Sequence, residues 1–262
     1  MNKISAITIV VACSLGVAAQ GQTIIDPLTG SLIGNYTDYL VNDSGSDGAS
    51  STTFTESASG LQANFVGTVA DPEQALFLAP AGDFSTTFAV GDTLMVDTAV
   101  ANSSIEEDLG LAISADDPVA AGANGNTRGD FDWASISLRP SQTAIRQNTS
   151  ISGTVTTASD VITLNTTTFP EVTALYISWD TPLTFTLGYV INGVETPDDT
   201  VTFESGSTIG DEIGFYGDMR DSGGTTLGDF TDLTISPIPE PSTLALCGMG
   251  LAGSLLVLRR KK

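Results

Sequence analysis

Oxygen ligands crowd one glycine-rich stretch of this 262-residue chain: Asp116-Asp117, Asn124-Gly125-Asn126, then Asp130 and Asp132. Carboxylate and carboxamide oxygens are what hard divalent cations take, so calcium is the cofactor this stretch suggests. The competing reading is a solvated loop whose Asn and Asp side chains serve its own turns. No EF-hand loop is complete: Asp43-Ser44-Gly45-Ser46-Asp47-Gly48 has the glycine but lacks the downstream glutamate. Glu106-Glu107-Asp108 places carboxylates consecutively, and neighbours on a strand face opposite sides. Trp133 and Tyr216 could stack on the apolar faces of sugar rings, although an aromatic on an alternating strand is more commonly core.

What is missing narrows the chemistry further. The chain has no histidine and no lysine between Lys3 and Lys261, and its cysteines, Cys13 and Cys247, both lie in terminal hydrophobic segments. Ser–His–Asp and Cys–His pairs, histidine-bound zinc and Schiff-base lysines are therefore ruled out for the central part. Catalysis there would rest on Asp, Glu, Tyr, Ser or Thr. Away from the ends only Arg128, Arg139, Arg146 and Arg220 are basic, against all but Glu240 of the 31 acidic residues. Such a surface has no footprint for nucleic-acid phosphates or anionic lipid. It suits an exported protein that must stay soluble and dispersed.

Both ends read as targeting. Met1-Asn2-Lys3 precedes an apolar run from Ile4 to Ala12, and small residues around Ala19 suit a signal peptidase, so residues 1–21 are expected to be a signal peptide with a helical core. At the other end Pro239-Glu240-Pro241 leads into an uncharged stretch from Ser242 to Leu258, closed by Arg259, Arg260, Lys261 and Lys262. That stretch is just long enough for a transmembrane helix, and the basic cluster would hold its own side cytoplasmic. The order Pro-Glu-Pro, apolar span, basic stub closely resembles the PEP-CTERM sorting signal. The resemblance covers residues 237–262 and implies an exosortase-type membrane peptidase as partner. It also implies transient anchoring in the inner membrane by the C-terminal helix, then delivery to the cell surface or extracellular matrix.

Between the ends, residues 22–236 are expected to form one exported domain. The cleanest alternation, Leu183, Phe185, Leu187, Tyr189, Ile191, runs into Asn192-Gly193, the dipeptide suited to a tight hairpin turn. Strands are also expected around Leu61–Phe65, Phe84–Val90, Leu94–Val100, Leu109–Ile113, Ala134–Leu138, Leu175–Trp179, Val201–Phe203, Ile213–Phe215 and Leu233–Ile235. The expected fold is all-β: a jelly-roll sandwich of about a dozen strands, flanked by the signal helix and the transmembrane helix.

Gly91-Asp92-Thr93-Leu94, the Asn192-Gly193 hairpin and the closing run Ile213-Gly214-Phe215-Tyr216 … Gly228-Asp229-Phe230-Thr231-Asp232-Leu233 resemble a concanavalin A-like jelly roll. Glucanases of that fold carry Glu-x-Asp-x-x-Glu, the outer carboxylates being nucleophile and acid/base. Here the nearest match is Asp130-Phe131-Asp132-Trp133-Ala134-Ser135, with serine in the acid/base position. The exported domain is therefore expected to be non-catalytic, with extracellular polysaccharide as its candidate partner. The alternatives are an atypical carbohydrate-active enzyme and a purely structural matrix protein.

Overall fold

Alternation makes one face of each strand apolar, and two such faces close on each other. The computed structural model describes residues 22–43, 51–66, 73–99, 107–115, 131–157, 162–164, 171–206, 208–219 and 225–237. Among the described residues two antiparallel sheets of eight strands pack together. The first runs β14 (Val194–Thr202), β13 (Thr184–Ile191), β12 (Val172–Thr181), β6 (Asp92–Thr98), β16 (Thr225–Pro237), β4 (Gly60–Val66), β3 (Ser51–Ser57), with β1 (Thr23–Asp26) also on β16. The second runs β10 (Thr154–Thr157), β9 (Ala144–Ile151), β8 (Trp133–Arg139), β7 (Glu107–Ser114), β15 (Glu212–Met219), β5 (Glu73–Pro80), β2 (Thr37–Asp43), with β11 (Ile162–Thr163) also on β9.

The core lies between the sheets. Leu94, Val96, Leu175, Ile177, Phe185 and Leu187 of the first sheet meet Leu109, Leu111, Ile113, Ile136, Leu138 and Phe215 of the second. Each such side chain contributes roughly 1.5–3 kcal/mol when fully buried. Rings join the layers: Phe54 stacks on Phe77 at 5.1 Å, and Phe215 on Phe230 at 5.4 Å. Asn192 and Gly193 both take positive φ, 53° and 73°, and Ile191 pairs with Val194 across them, the mirror-image turn that the dipeptide suggests.

Two expectations are corrected. Phe84–Val90 is not a strand: the segment is irregular, with Phe84 and Phe88 buried in the core while Val90 is 48 % exposed. Asp92 ends it by accepting the Ala89 N–H through Oδ2 at 2.9 Å, a local turn that overrides the alternation. The signal helix and transmembrane helix are also withdrawn from the fold class. Among the described residues no helix is long and apolar enough to cross a membrane, and the only helical segments are single 3₁₀ turns at Ala81–Asp83 and Pro140–Gln142. Both expected helices, and with them the inner-membrane anchor, fall on residues 1–21 and 238–262, outside the described residues. The fold stands as all-β.

Glycine lets neighbouring strands close at one crowded point. A Cβ at Gly110 of β7 would collide with the Ile136 carbonyl oxygen and the Ser137 Cα of β8. Gly110→Val should therefore lower stability by about 3 kcal/mol or more, the upper end for overpacking, because the obstacle is backbone. Urea denaturation checks this; a midpoint equal to the parent's would show that β8 moves aside freely.

Candidate functional site

The inner face of the second sheet supplies half the core, yet its outer face is closed to water as well. All seven residues of β8 are buried, so Trp133, Ser135, Ser137 and Arg139 are as enclosed as the core-facing Ala134, Ile136 and Leu138. Strand register lays the outer face out in rows. Gln74, Asp218 and Asp108 stand side by side, with Arg139 next along. Leu76, Tyr216, Gly110, Ser137 and Arg146 form the second row; Leu78, Gly214, Ala112, Ser135 and Asn148 the third; Pro80, Glu212, Ser114, Trp133 and Ser150 the fourth.

Buried charges on this face meet one another directly. Arg139 Nε donates to Asp108 Oδ1 at 2.6 Å, and Arg146 Nη1 lies 3.5 Å from Asp108 Oδ2. Gln74 Nε2 donates to Tyr216 Oη at 2.7 Å and to Asp218 Oδ2 at 2.9 Å, and Tyr216 Oη donates to Asp218 Oδ2 at 3.3 Å. One carboxylate, Asp108, thus meets two guanidiniums in a dry environment, where removing either partner is far costlier than at a surface. Burial first, and then the Asp218 charge, push Asp108 up to about 6, against the lowering pull of Arg139 and Arg146. Other atoms of the face have no partner at all. The hydroxyls of Ser135, Ser137 and Ser150, both polar atoms of the Asn148 carboxamide, Arg139 Nη2 and Gln74 Oε1 are buried without a hydrogen bond. A concentration of such atoms on one face calls for an explanation, because folded proteins satisfy nearly all buried polar groups.

Trp133 and Tyr216 lie on this face and are fully buried, stacked at 5.7 Å. In this conformation neither ring offers a face to a glycan. Asp132 Oδ1 accepts the Ser152 N–H at 2.8 Å, and the Asp132 carbonyl accepts the Ala115 N–H at 2.9 Å, so this residue ties the ends of two strands. Asp116, Asp117, Asn124, Asn126 and Asp130, and likewise Pro239, Glu240, Pro241 and Arg259–Lys262, lie outside the described residues. Among the described residues no group of three or more His, Cys, Asp or Glu could hold a metal ion. Sequence reasoning missed Asp108, Arg139, Arg146, Asp218 and Asn148, which are scattered over more than a hundred residues. The available signal was that two of the four central arginines stand two and five residues either side of Ala144, inside otherwise strand-like sequence.

Among the described residues burial raises five carboxylates: Asp38, Asp92, Asp97, Asp108 and Asp198. With native pKa values above the unfolded value of about 3.9, the folded state holds more protons between about pH 4 and pH 6. Their contribution is therefore complete below the unfolded pKa and is lost as pH rises through the native one. Repulsion among the many other carboxylates acts in the same direction. Urea midpoints should fall from pH 4 to pH 7, and Asp108→Asn should flatten the part of the profile near pH 6. Midpoints that rise over this range would contradict the assignment.

Residues 237–261 match the PEP-CTERM protein-sorting motif. Among curated proteins no match was found. Among solved structures, the backbone is similar to the carbohydrate binding module CBM66 from Bacillus subtilis, at 11 % identity and TM-score 0.43 over 82 % of this chain and 99 % of that one. It is similar also to the Ca²⁺/Man3GlcNAc-bound VIP36 exoplasmic/lumenal domain, at 10 % identity and TM-score 0.46 over 83 % and 88 %. A third is the endo-1,3-beta-glucanase from Streptomyces sioyaensis, at 9 % identity and TM-score 0.39 over 83 % and 95 %. The chain carries a C-terminal PEP-CTERM sorting motif behind a jelly-roll β-sandwich that resembles lectin and carbohydrate-binding-module structures.

Proposed function

We propose that this protein is an exported, non-catalytic module that binds extracellular polysaccharide through the outer face of its second sheet. The observation that carries the reading is the set of partnerless polar atoms of Ser135, Ser137, Asn148 and Ser150 beside the Trp133–Tyr216 pair. Hydroxyl and carboxamide groups converging next to aromatic rings are the chemistry that orients a sugar. The face is closed in this conformation, so ligand entry follows local opening. Support for a non-catalytic role comes from Arg139, which occupies Asp108, and from Ser135, which stands where a glucanase of this fold carries its acid/base. One feature favours an atypical hydrolase instead: Asp108 directly faces Asp218 across β7 and β15, and two carboxyls side by side, one of them raised by burial, are the starting point for acid–base chemistry.

A glycan array probed with the exported protein, with and without calcium, tests the reading. Asn148→Ala should weaken the best ligand at least tenfold, about 1.4 kcal/mol, and the bound glycan should be recovered intact. Recovery of shortened glycan would move the assignment to hydrolysis, and an array without hits would end the binding reading. The calcium arm bears on the oxygen-ligand stretch from Asp116 to Asp132, to which we assign a calcium ion on its four aspartates and two asparagines. Binding there makes recognition calcium-dependent in a way sodium at matched ionic strength does not reproduce.

The sorting motif implies an exosortase-type partner, and we assign recognition to Glu240 between Pro239 and Pro241, upstream of the basic residues Arg259 to Lys262. Replacing Glu240 by Ala should leave the C-terminal peptide attached, as intact-mass spectrometry of the exported protein would read. Normal tail removal in that variant would place recognition elsewhere.

A further inference from the structure

A second opening lies at the lateral edge of the sandwich, where β9 and β10 of one sheet face β14, the edge strand of the other. It is a groove of about 210 Å³. Gln147, Thr149 and Ile151 stand at every second position of β9 and so share a face; across the gap they meet Asp199, Thr200 and Val201 of β14. Gln147 is only 2 % exposed. Its Nε2 donates to Asp198 Oδ2 at 2.6 Å, a bond that spans the two sheets and fixes the carboxamide plane. Asp198 reaches it because it is the extra residue of a bulge: Leu187 pairs with Asp199, but Gly188 pairs with Pro197. Bulges re-aim side chains in this way. Asp199 Oδ1 accepts the Thr200 N–H at 2.7 Å.

We propose that this groove binds a single neutral sugar ring, as an open subsite separate from the enclosed face of the second sheet. The inference rests on the carbohydrate-binding reading above and adds to it a place and a ligand class. Size sets the first limit: the groove is smaller than the about 300–1,000 Å³ that encloses a drug-sized ligand, so it holds a ring and not a length of chain. Chemistry sets the second. Ile151 and Val201 offer an aliphatic patch to the C–H face of a sugar, while Asp199 and the threonine hydroxyls offer acceptors and donors to its hydroxyls. Charge sets the third. No cationic side chain lines the groove, and Asp198 and Asp199 stand side by side, so a uronate or sulfated sugar meets repulsion with nothing to offset it.

Titrating the exported protein with glucose, galactose, mannose and glucuronate, followed by ¹H–¹⁵N NMR, tests this. At least one neutral hexose should shift the Gln147 side-chain amide and the Thr149 and Thr200 backbone amides, with glucuronate binding at least tenfold more weakly. Thr149→Trp, half-buried on the groove-facing side of β9, should fill the groove and abolish the Gln147 and Thr200 shifts. Asp199→Asn should narrow the gap between hexose and glucuronate. The proposal is overturned if no hexose moves these resonances, if glucuronate binds as well as the neutral sugars, or if Thr149→Trp leaves the Gln147 and Thr200 shifts intact. Polysaccharide binding lost in Asn148→Ala but unchanged in Thr149→Trp removes the groove and leaves the broader reading standing. A parent protein that binds no glycan removes both.

Discussion

A sheet closed to water on both faces has to settle every charge and polar atom it carries without solvent. The second sheet works under that constraint. Its inner face is satisfied by apolar contact, but its outer face carries Asp108, Asp218, Arg139, Arg146, Gln74 and Asn148 into the same dry environment. Desolvating an ion costs several kcal/mol even after relaxation, so the position of each arginine is dictated by the carboxylates around it. Row-by-row register makes the arrangement possible, because it sets Asp218 against Asp108 and Asp108 within reach of Arg139.

This constraint gives an unusual composition a structural meaning. In a central region that is almost wholly anionic, two of only four arginines are spent inside the fold and not on its surface. Another buried carboxylate, Asp26, is handled without any cation. It accepts the N–H groups of Leu28 at 3.0 Å and Ile33 at 2.9 Å, and the Tyr36 hydroxyl at 3.2 Å, binding the first loop to the core. Backbone donors can thus replace a guanidinium where the chain folds back on itself. The hydroxyls of Ser135, Ser137 and Ser150 and the carboxamide of Asn148 are matched by neither device. That residue of unmet bonding is what separates the outer face from a merely well-packed one.

Sorting and folding meet at a single residue. β16 ends at Pro237, which pairs with Asp92 of β6, and the sorting motif begins at residue 237. The signal therefore follows an interior strand of the first sheet directly. Both halves of β16 are engaged, by β4 along Thr225–Phe230 and by β1 along Leu233–Ile235, which holds the strand that delivers the tail firmly in the sheet.

Local pattern was enough for much of this. The Asn192-Gly193 turn, the inner-facing residues of β7, β8, β12, β13 and β15, the sorting motif and the exclusion of histidine, lysine and cysteine chemistry all follow from residue type and spacing. They are local properties, set by a period of two, by φ preferences or by presence and absence. β9 was not legible, because Arg146, Asn148 and Ser150 alternate with Gln147 and Thr149, so neither of its faces reads as apolar in sequence. The Phe84–Val90 segment misled in the opposite sense: its alternation is real, but Asp92 turns the chain before a ladder can form. Nor could sequence show that Trp133 and Tyr216 lie against each other, that Asp198 occupies a bulge, or that Asp108 faces Asp218. Each depends on register between strands far apart in the chain, and a shift of one residue would send every one of these side chains to the other face.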